Sequence, residues 1–308
     1  VFANKIGVVY DSGGKFDKSF NELAFKTAER VKNELGWQMV EFESSNDAQI
    51  EQGMRKIADR GATMIVGMGF AQADAVAAVS ADYPDIKFVA VDVCWLDDPN
   101  NNIYQACYKE HEGSFLVGMM AAMASKTGTI GFVGGMDIPL IRKFQGGYEQ
   151  GAQYVNPDIE VLANMTGTTN EAWNNPTKGA ELTKAQIDGG ADVVYQAAGG
   201  TGIGVLQAAA DAGIMGIGVD ANQNWMHPGN MLTSMLKRLD LTIFAQAEAI
   251  AAGTFEPSGQ FLSLGLAEGG VGYATEDGMV TDEMAAAADA AAADIASGAI
   301  VVADWSQE

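Results

Sequence analysis

The chain is poor in several residue types, and each shortage excludes something. It holds 2 cysteines and 2 histidines in 308 residues, too few for a disulfide-built scaffold, and neither cysteine has a histidine arrangement near it, so no metal or nucleophile role is expected of the thiols. His111 and His227 are those histidines, and neither sits beside a nucleophile or metal ligands; a surface or capping role is the default for both. Proline is down to 7 residues and no Pro- or Ser-rich linker is present, so domain boundaries must fall in ordinary loops. Basic residues number 18 against 40 acidic ones, a formal charge of −22. Nucleic acid and anionic membrane surfaces would repel such a chain, so neither is expected as a partner. The charge suits a salty medium, where screening over about 8 Å weakens self-repulsion. No apolar run approaches the roughly 18 residues of a membrane helix. GxxxxGK[ST] is absent, HExxH is absent, and Gly199-Gly200-Thr201-Gly202-Ile203-Gly204 lacks GxGxxG spacing. No catalytic constellation, metal site or cofactor is therefore expected.

What the chain does have is a repeat. Lys5-Ile6-Gly7-Val8-Val9 returns as Thr129-Ile130-Gly131-Phe132-Val133, Arg60–Val66 as Gly189–Tyr195, and Phe88–Asp92 as Gly216–Asp220. The offsets are 124, 129 and 128 residues. A near-constant offset through three strand-like runs predicts two similar α/β lobes, and ligands bind where such lobes present their strand ends. The length allows two domains with full cores.

Strands are expected at Ile6–Tyr10, Val40–Phe42, Met64–Gly67, Phe88–Asp92 and Ile103–Cys107, with helices over Ser19–Leu35 and Ala48–Arg60. Ser19-Phe20-Asn21-Glu22 fits a capping box and Gly36 ends that helix. The second lobe follows with strands at Ile130–Val133, Glu160–Asn164, Val193–Ala197 and Ile217–Val219. Its helices fall near Ile141–Val155, Thr177–Asp188 and Val205–Ala212. Met231–Met235 and the helix Leu239–Ala252 read as a return to the first lobe. Thr281–Ser297 is an Ala-rich helix anchored by Met284 and Ile295. Crossings between lobes are expected at Ser125–Thr129, Met235–Leu239 and Gly265–Gly269, giving lobe one as 1–126 and 238–267 and lobe two as 127–237 and 268–308.

Cys94 and Cys107 lie 13 residues apart at or near strands, where a disulfide and two buried thiols are both open. Val1-Phe2-Ala3 has the small-x-Ala form of a signal-peptide cleavage site, which favours export to the periplasm with the signal peptide removed.

Candidate ligand residues cluster at strand ends. Phe20 and Asn21 sit on a first helical turn after the loop from Asp11 to Ser19, where an aromatic ring offers a stacking platform. Asp11 ends a buried strand and needs hydrogen-bond donors. Asp92 and Asp220 end equivalent strands, and carboxylates accept paired hydrogen bonds from hydroxyls or ring N–H groups. Lys237, at a crossing, is placed to neutralise Asp220 and share its ligand. Gly200 and Gly202 open a helix whose backbone N–H groups could meet a polar ligand. Phe70, Trp173 and Tyr195 are aromatics on loops or strand ends.

These stretches, with Lys109-Glu110-His111-Glu112-Gly113-Ser114-Phe115-Leu116-Val117-Gly118, Gly131–Met136, Gln196–Gly202 and Thr233–Arg238, resemble the signatures of the basic membrane protein family. The resemblance runs over about residues 5–302. Its members are substrate-binding proteins of ABC importers, the best known being purine-nucleoside receptors. The resemblance implies a type I periplasmic-binding fold, two doubly wound lobes joined by a three-crossing hinge, with a membrane permease as partner. It also implies that Phe20 and Tyr195 sandwich a purine, that Asp11 and Asn21 meet the base edge, and that Asp92, Asp220, Lys237 and the Gly199–Gly202 turn hold the ribose. Trp173 stands where the family commonly has Phe. The expectation is a monomeric receptor for adenosine, guanosine or inosine. A receptor for a free purine base or a flavin, and a sensory domain of the same fold, are the alternatives; a nucleoside-cleaving enzyme lacks the acidic cluster and general base it would need.

Overall fold

The structure, a computed structural model, describes residues 3–308. Val1 and Phe2, and with them most of the cleavage-site reading, lie outside the described residues. The chain divides into two compact units, Val1–Tyr108 with Arg238–Ser263 and Lys109–Lys237 with Leu264–Glu308.

The first unit runs β1 (Lys5–Tyr10), α1 (Phe20–Leu35), β2 (Gln38–Glu43), α2 (Ile50–Asp59), β3 (Met64–Met68), α3 (Ala73–Asp82), β4 (Lys87–Val91) and β5 (Ile103–Tyr108). β1, β3 and β4 are short runs of mostly apolar residues, rich in Val, with almost every residue buried, as expected for parallel strands covered on both faces. β2, whose charged and apolar residues alternate, lies at the sheet edge. β1 pairs in parallel with β2 on one side and β3 on the other. Ile57, Ile65, Val76, Val79 and Phe88 fill one side of this sheet, each fully buried side chain contributing about 1.5–3 kcal/mol.

The second unit runs α4 (Glu110–Ala124), β6 (Thr129–Met136), α5 (Pro139–Val155), β7 (Glu160–Gly167), α6 (Pro176–Asp188), β8 (Val193–Ala197), α7 (Thr201–Asp211), β9 (Met215–Asp220) and β10 (Met231–Lys237). The chain then returns to the first unit with α8 (Leu239–Ala252) and β11 (Ser263–Leu264). It ends in the second with β12 (Val271–Tyr273) and α9 (Asp282–Ser297). The strand orders are β11-β5-β4-β3-β1-β2 and β12-β10-β9-β8-β6-β7. Strand for strand these are the same topology, so the repeat read from sequence is a repeat of architecture.

Four expectations are corrected. The box at Ser19 does not cap α1; the Asp17 carboxylate does, accepting from the N–H groups of Ser19, Asn21 and Glu22 at 2.8–3.1 Å. Met231–Met235 is no return to the first unit, since β10 pairs with β9 in the second sheet. A helix, α4, occupies Glu110–Ala124, a stretch that had been given no element. The first crossing consequently falls at Tyr108/Lys109, not at Ser125–Thr129, and the others at Lys237/Arg238 and Ser263/Leu264. The lobe bounds at 126 and 267 move with them.

The reason is the packing of α4. A Cβ on Gly147 or Gly151 of α5 would fall on the backbone of His111 or Phe115, and one on Gly118 of α4 on that of Tyr148. The two helices touch main chain to main chain. α9 ends at Gly298 (φ 84°) and buries Met284, Ala288, Ala291 and Ile295 on one stripe. Cys94 and Cys107 are joined, their Cα atoms 5.6 Å apart. Among the described residues no helix is long and apolar enough to cross a membrane.

Replacing Gly151 by Ala forces α4 and α5 apart and is expected to cost about 1–3 kcal/mol, read as a lower urea midpoint; an unchanged midpoint would contradict the contact. The Cys94→Ser/Cys107→Ser pair, or a reductant acting on the native chain, should lower stability by about 3 kcal/mol. Identical midpoints with and without reductant would show that no such bond forms.

Candidate functional site

In each sheet the strand order reverses beside the first strand of the repeat. β2 lies to one side of β1 and β3 to the other; β7 and β8 flank β6 in the same way. Such a reversal opens a crevice at the carboxyl ends of the strands, and the candidate residues gather around both.

In the first unit Asp11 follows β1. Its N–H donates to Asn21 Oδ1 at 3.1 Å, and its Oδ1 accepts from Asn21 Nδ2 at 2.6 Å and from Gly13 N–H at 2.9 Å. The two side chains therefore fix each other. Asp11 Oδ2 points at Gly69, just past β3: a Cβ built there would lie 3.2 Å from that oxygen and 3.8 Å from Phe20 Cε1. Carboxylate and ring thus converge over a glycine with φ 99°, a conformation that suits glycine alone. Phe70 follows, half-buried. Burial pushes the Asp11 carboxyl up, the Asn21 and Gly13 bonds pull it down, and the charge of Asp92 adds to the rise. Asp17, which the sequence reading passed over, is pushed up to about 7 by burial against its three N–H donors. Its signal was an Asp two residues before the expected cap.

Asp92 follows β4 with φ 65° and Asp220 ends β9 with φ 68°. The left-handed region is rare for residues other than Gly, Asn and Asp. Here it recurs at the same position of both halves, and both side chains are buried. Asp92 N–H donates to Ala106 C=O. At Asp220, Ala221 N–H donates to Val219 C=O and closes a three-residue turn around it.

A buried amide network supports that turn. Gln196 Nε2 donates to Gln223 Oε1 at 2.8 Å, and Gln223 Oε1 accepts from Val219 N–H at 2.9 Å. Gln196 lies where a side chain on Gly202 would be, so Gly202 has a packing reason to be glycine. Gly200 precedes α7 with φ −62°. Trp173, half-buried, lays its indole on Gly135 at the end of β6 and against Gly199 past β8. Thr201 Oγ1 donates to Ala172 C=O at 2.6 Å and accepts from Asn175 N–H at 2.8 Å. That pins the turn carrying Trp173 to the start of α7, across the second reversal.

Tyr195 is a correction. It is fully buried, edge-on to Phe132 and Tyr148 at 5.6 and 5.0 Å, with its hydroxyl 2.9 Å from Ser114 Oγ. The pleat of β8 turns its ring into the core, and no face is left for stacking. Lys237 is also buried, and its ammonium lies 3.0 Å from Glu110 Oε1. Lys143 meets the other oxygen of Glu110 at 3.0 Å. Neither Glu110 nor Lys143 was a candidate; the only local sign was an acid opening a long apolar helix. Burial works to raise Glu110, and the Lys237 and Lys143 ammonium groups outweigh it and hold the carboxyl below its usual range. His111, expected in a surface or capping role, is buried in the first turn of α4, and burial with the nearby Lys143 charge lowers its pKa. His227 is half-buried.

Residues 3–305 match the family described as ABC transporter substrate-binding protein PnrA-like. Basic membrane protein A2 of Borrelia garinii subsp. bavariensis is 34% identical over 91% of this chain and 82% of its own. The ABC transporter nucleoside-binding protein BmpA of Lactococcus lactis subsp. cremoris is 31% identical over 97% and 88%. The crystal structure of an ABC transporter solute-binding protein from Aeropyrum pernix K1 superposes with a TM-score of 0.86 at 27% identity, covering 98% of this chain and 93% of that one. The fold is that of the type I periplasmic-binding proteins, and these proteins bind solutes for transport without catalysing a reaction on them. With the repeated topology and the match over nearly its whole length, the chain belongs to the PnrA-like family of ABC transporter substrate-binding proteins.

Proposed function

We propose that the protein captures a purine nucleoside outside the cytoplasm and delivers it to an ABC permease. The observation that carries this reading is the pair Asp92 and Asp220, held left-handed and buried at the same position of both halves. A carboxylate fixed in that way is suited to accept hydrogen bonds from sugar hydroxyls, and a site built for hydroxyls rejects analogues that lack them. Each half adds one aromatic at its strand reversal, Phe20 in the first and Trp173 in the second. Trp173 takes the stacking role first given to Tyr195. Asp11, with Asn21 fixing it, meets the base edge; Phe70 borders the base; Lys237 and the Gly200–Gly202 turn meet the ribose side. The name of the Lactococcus relative supports a nucleoside ligand. The joined cysteines support an oxidising compartment such as the periplasm, and the protein acts as a monomer.

Titration calorimetry with adenosine, guanosine, inosine, free bases, riboflavin and ribose tests the reading. Purine nucleosides should bind and ribose should not; binding only to riboflavin or a free base would replace the ligand, and binding to none after refolding would end the proposal. Phe20→Ala should weaken binding by about 1–3 kcal/mol, the worth of one stacked base. Asp220→Ala should cost about 1.5–3 kcal/mol and lose its discrimination against deoxynucleosides. Tyr195→Phe should leave affinity unchanged while costing about 1 kcal/mol of stability through the lost Ser114 bond, and Tyr195→Leu, which removes the ring, should lower stability further without weakening binding by the worth of a stacked base; a loss of about 1–3 kcal/mol of affinity in Tyr195→Leu would return the stacking role to Tyr195.

A further inference from the structure

Glu110 is the first residue of α4 and has no exposed surface. A carboxylate in such a place is costly unless cations meet it. Two do, one on each oxygen: Lys237 from the end of β10 and Lys143 from α5, both at 3.0 Å. Lys237 is itself almost fully buried, with the Phe144 ring 5.8 Å from its Nζ. A buried ammonium loses its proton easily unless an anion holds it. We propose that Glu110 is a positioning residue for ligand capture: it keeps Lys237 charged and fixes where that cation stands, while Lys143 keeps Glu110 ionised.

The proposal rests on the reading of Lys237 as a ligand residue. The surroundings support the division of labour. Around this cluster stand Tyr148 on α5, Tyr195 on β8, Asp220 on β9, His111 on α4 and Asp304 near the C-terminus; the charges of Asp220, Glu110 and Lys237 all act on Tyr195, and those of Glu110, Lys143 and Asp304 on His111. Burial holds Tyr148 and Tyr195 neutral, and burial favours neutral His111. Glu110 is thus the buried anion in direct contact with both lysines. Its folded pKa lies below the ordinary value near 4.5. The bond therefore holds at any pH above that value and is lost as the pH falls through the lowered one.

The test follows Lys237 directly, by NMR of lysine-labelled protein from pH 5 to 9, in the native chain and in Glu110→Gln. Native Lys237 should stay charged throughout; in Glu110→Gln it should lose its proton between about pH 7 and 9. Nucleoside affinity of the variant should fall about tenfold or more at pH 8 and recover toward pH 6, a pH profile that a purely structural loss would not give. If Glu110→Gln fails to fold, Glu110→Gln/Lys143→Met removes one cation with the anion, keeps the charge of the cluster, and leaves the same readout. A Lys237 that titrates alike in native and variant protein overturns the proposal whatever binds. So does a titration change without loss of affinity. Failure of the native protein to bind any nucleoside would instead count against the proposed ligand, with the Lys237 titration still deciding the role of Glu110.

Discussion

A carboxylate taken out of water must be met by donors or cations, or the fold loses several kcal/mol. Both halves of this protein are organised around that constraint. In the first, Asp17 gathers three amides and so sets the angle of α1, which places Phe20 and Asn21. Asn21 then holds Asp11. In the second, Glu110 gathers Lys237 and Lys143 from β10 and α5. The solutions differ in kind, backbone dipoles in one half and whole charges in the other. In the first half the buried acid fixes the helix start beside it, and in the second it ties together elements that are distant in sequence.

The two halves share topology strand for strand, and each follows or ends the fourth strand of its repeat with an aspartate. Asp92 and Asp220 keep the same unfavourable backbone conformation. Residues held in sparsely populated regions persist when the surroundings over-determine them, and they collect at functional sites. For Asp220 that surrounding is the Gln196–Gln223 amide pair. For Asp92 it is the hydrogen bond to Ala106 and the disulfide two residues on. The same geometry has been secured by unrelated means.

Much of this was legible in the sequence because parallel strands announce themselves as short apolar runs, and a repeat of such runs is visible as an offset. The aspartates were legible because each terminates such a run. What escaped notice did so for identifiable reasons. α4 is buried on nearly all sides, so it lacks the polar face that gives a helix its periodicity, and the first crossing was misplaced with it. Tyr195 sits in a strand buried on both faces, where alternation cannot say which way a ring turns. Glu110 finds its partners on β10 and α5, and no local pattern reports a contact made over that separation. Ser19 fitted a capping box in spacing, but the loop before α1 brings Asp17 to the same amides first.

The division of the chain has a consequence for the order of assembly. The first unit is interrupted by the whole of Lys109–Lys237, so as the chain emerges its first 108 residues wait for α8 and the 258–262 segment. α8 packs on α1, where the Arg30 guanidinium lies 4.2 Å above the Phe244 ring, and residues 258–262 bond to the far edge of β5 through Ile103 and Cys107. Contacts made across so long a separation close slowly. The Cys94–Cys107 bond lies entirely ahead of the interruption, so the edge that the late segment must find is already tied when that segment arrives.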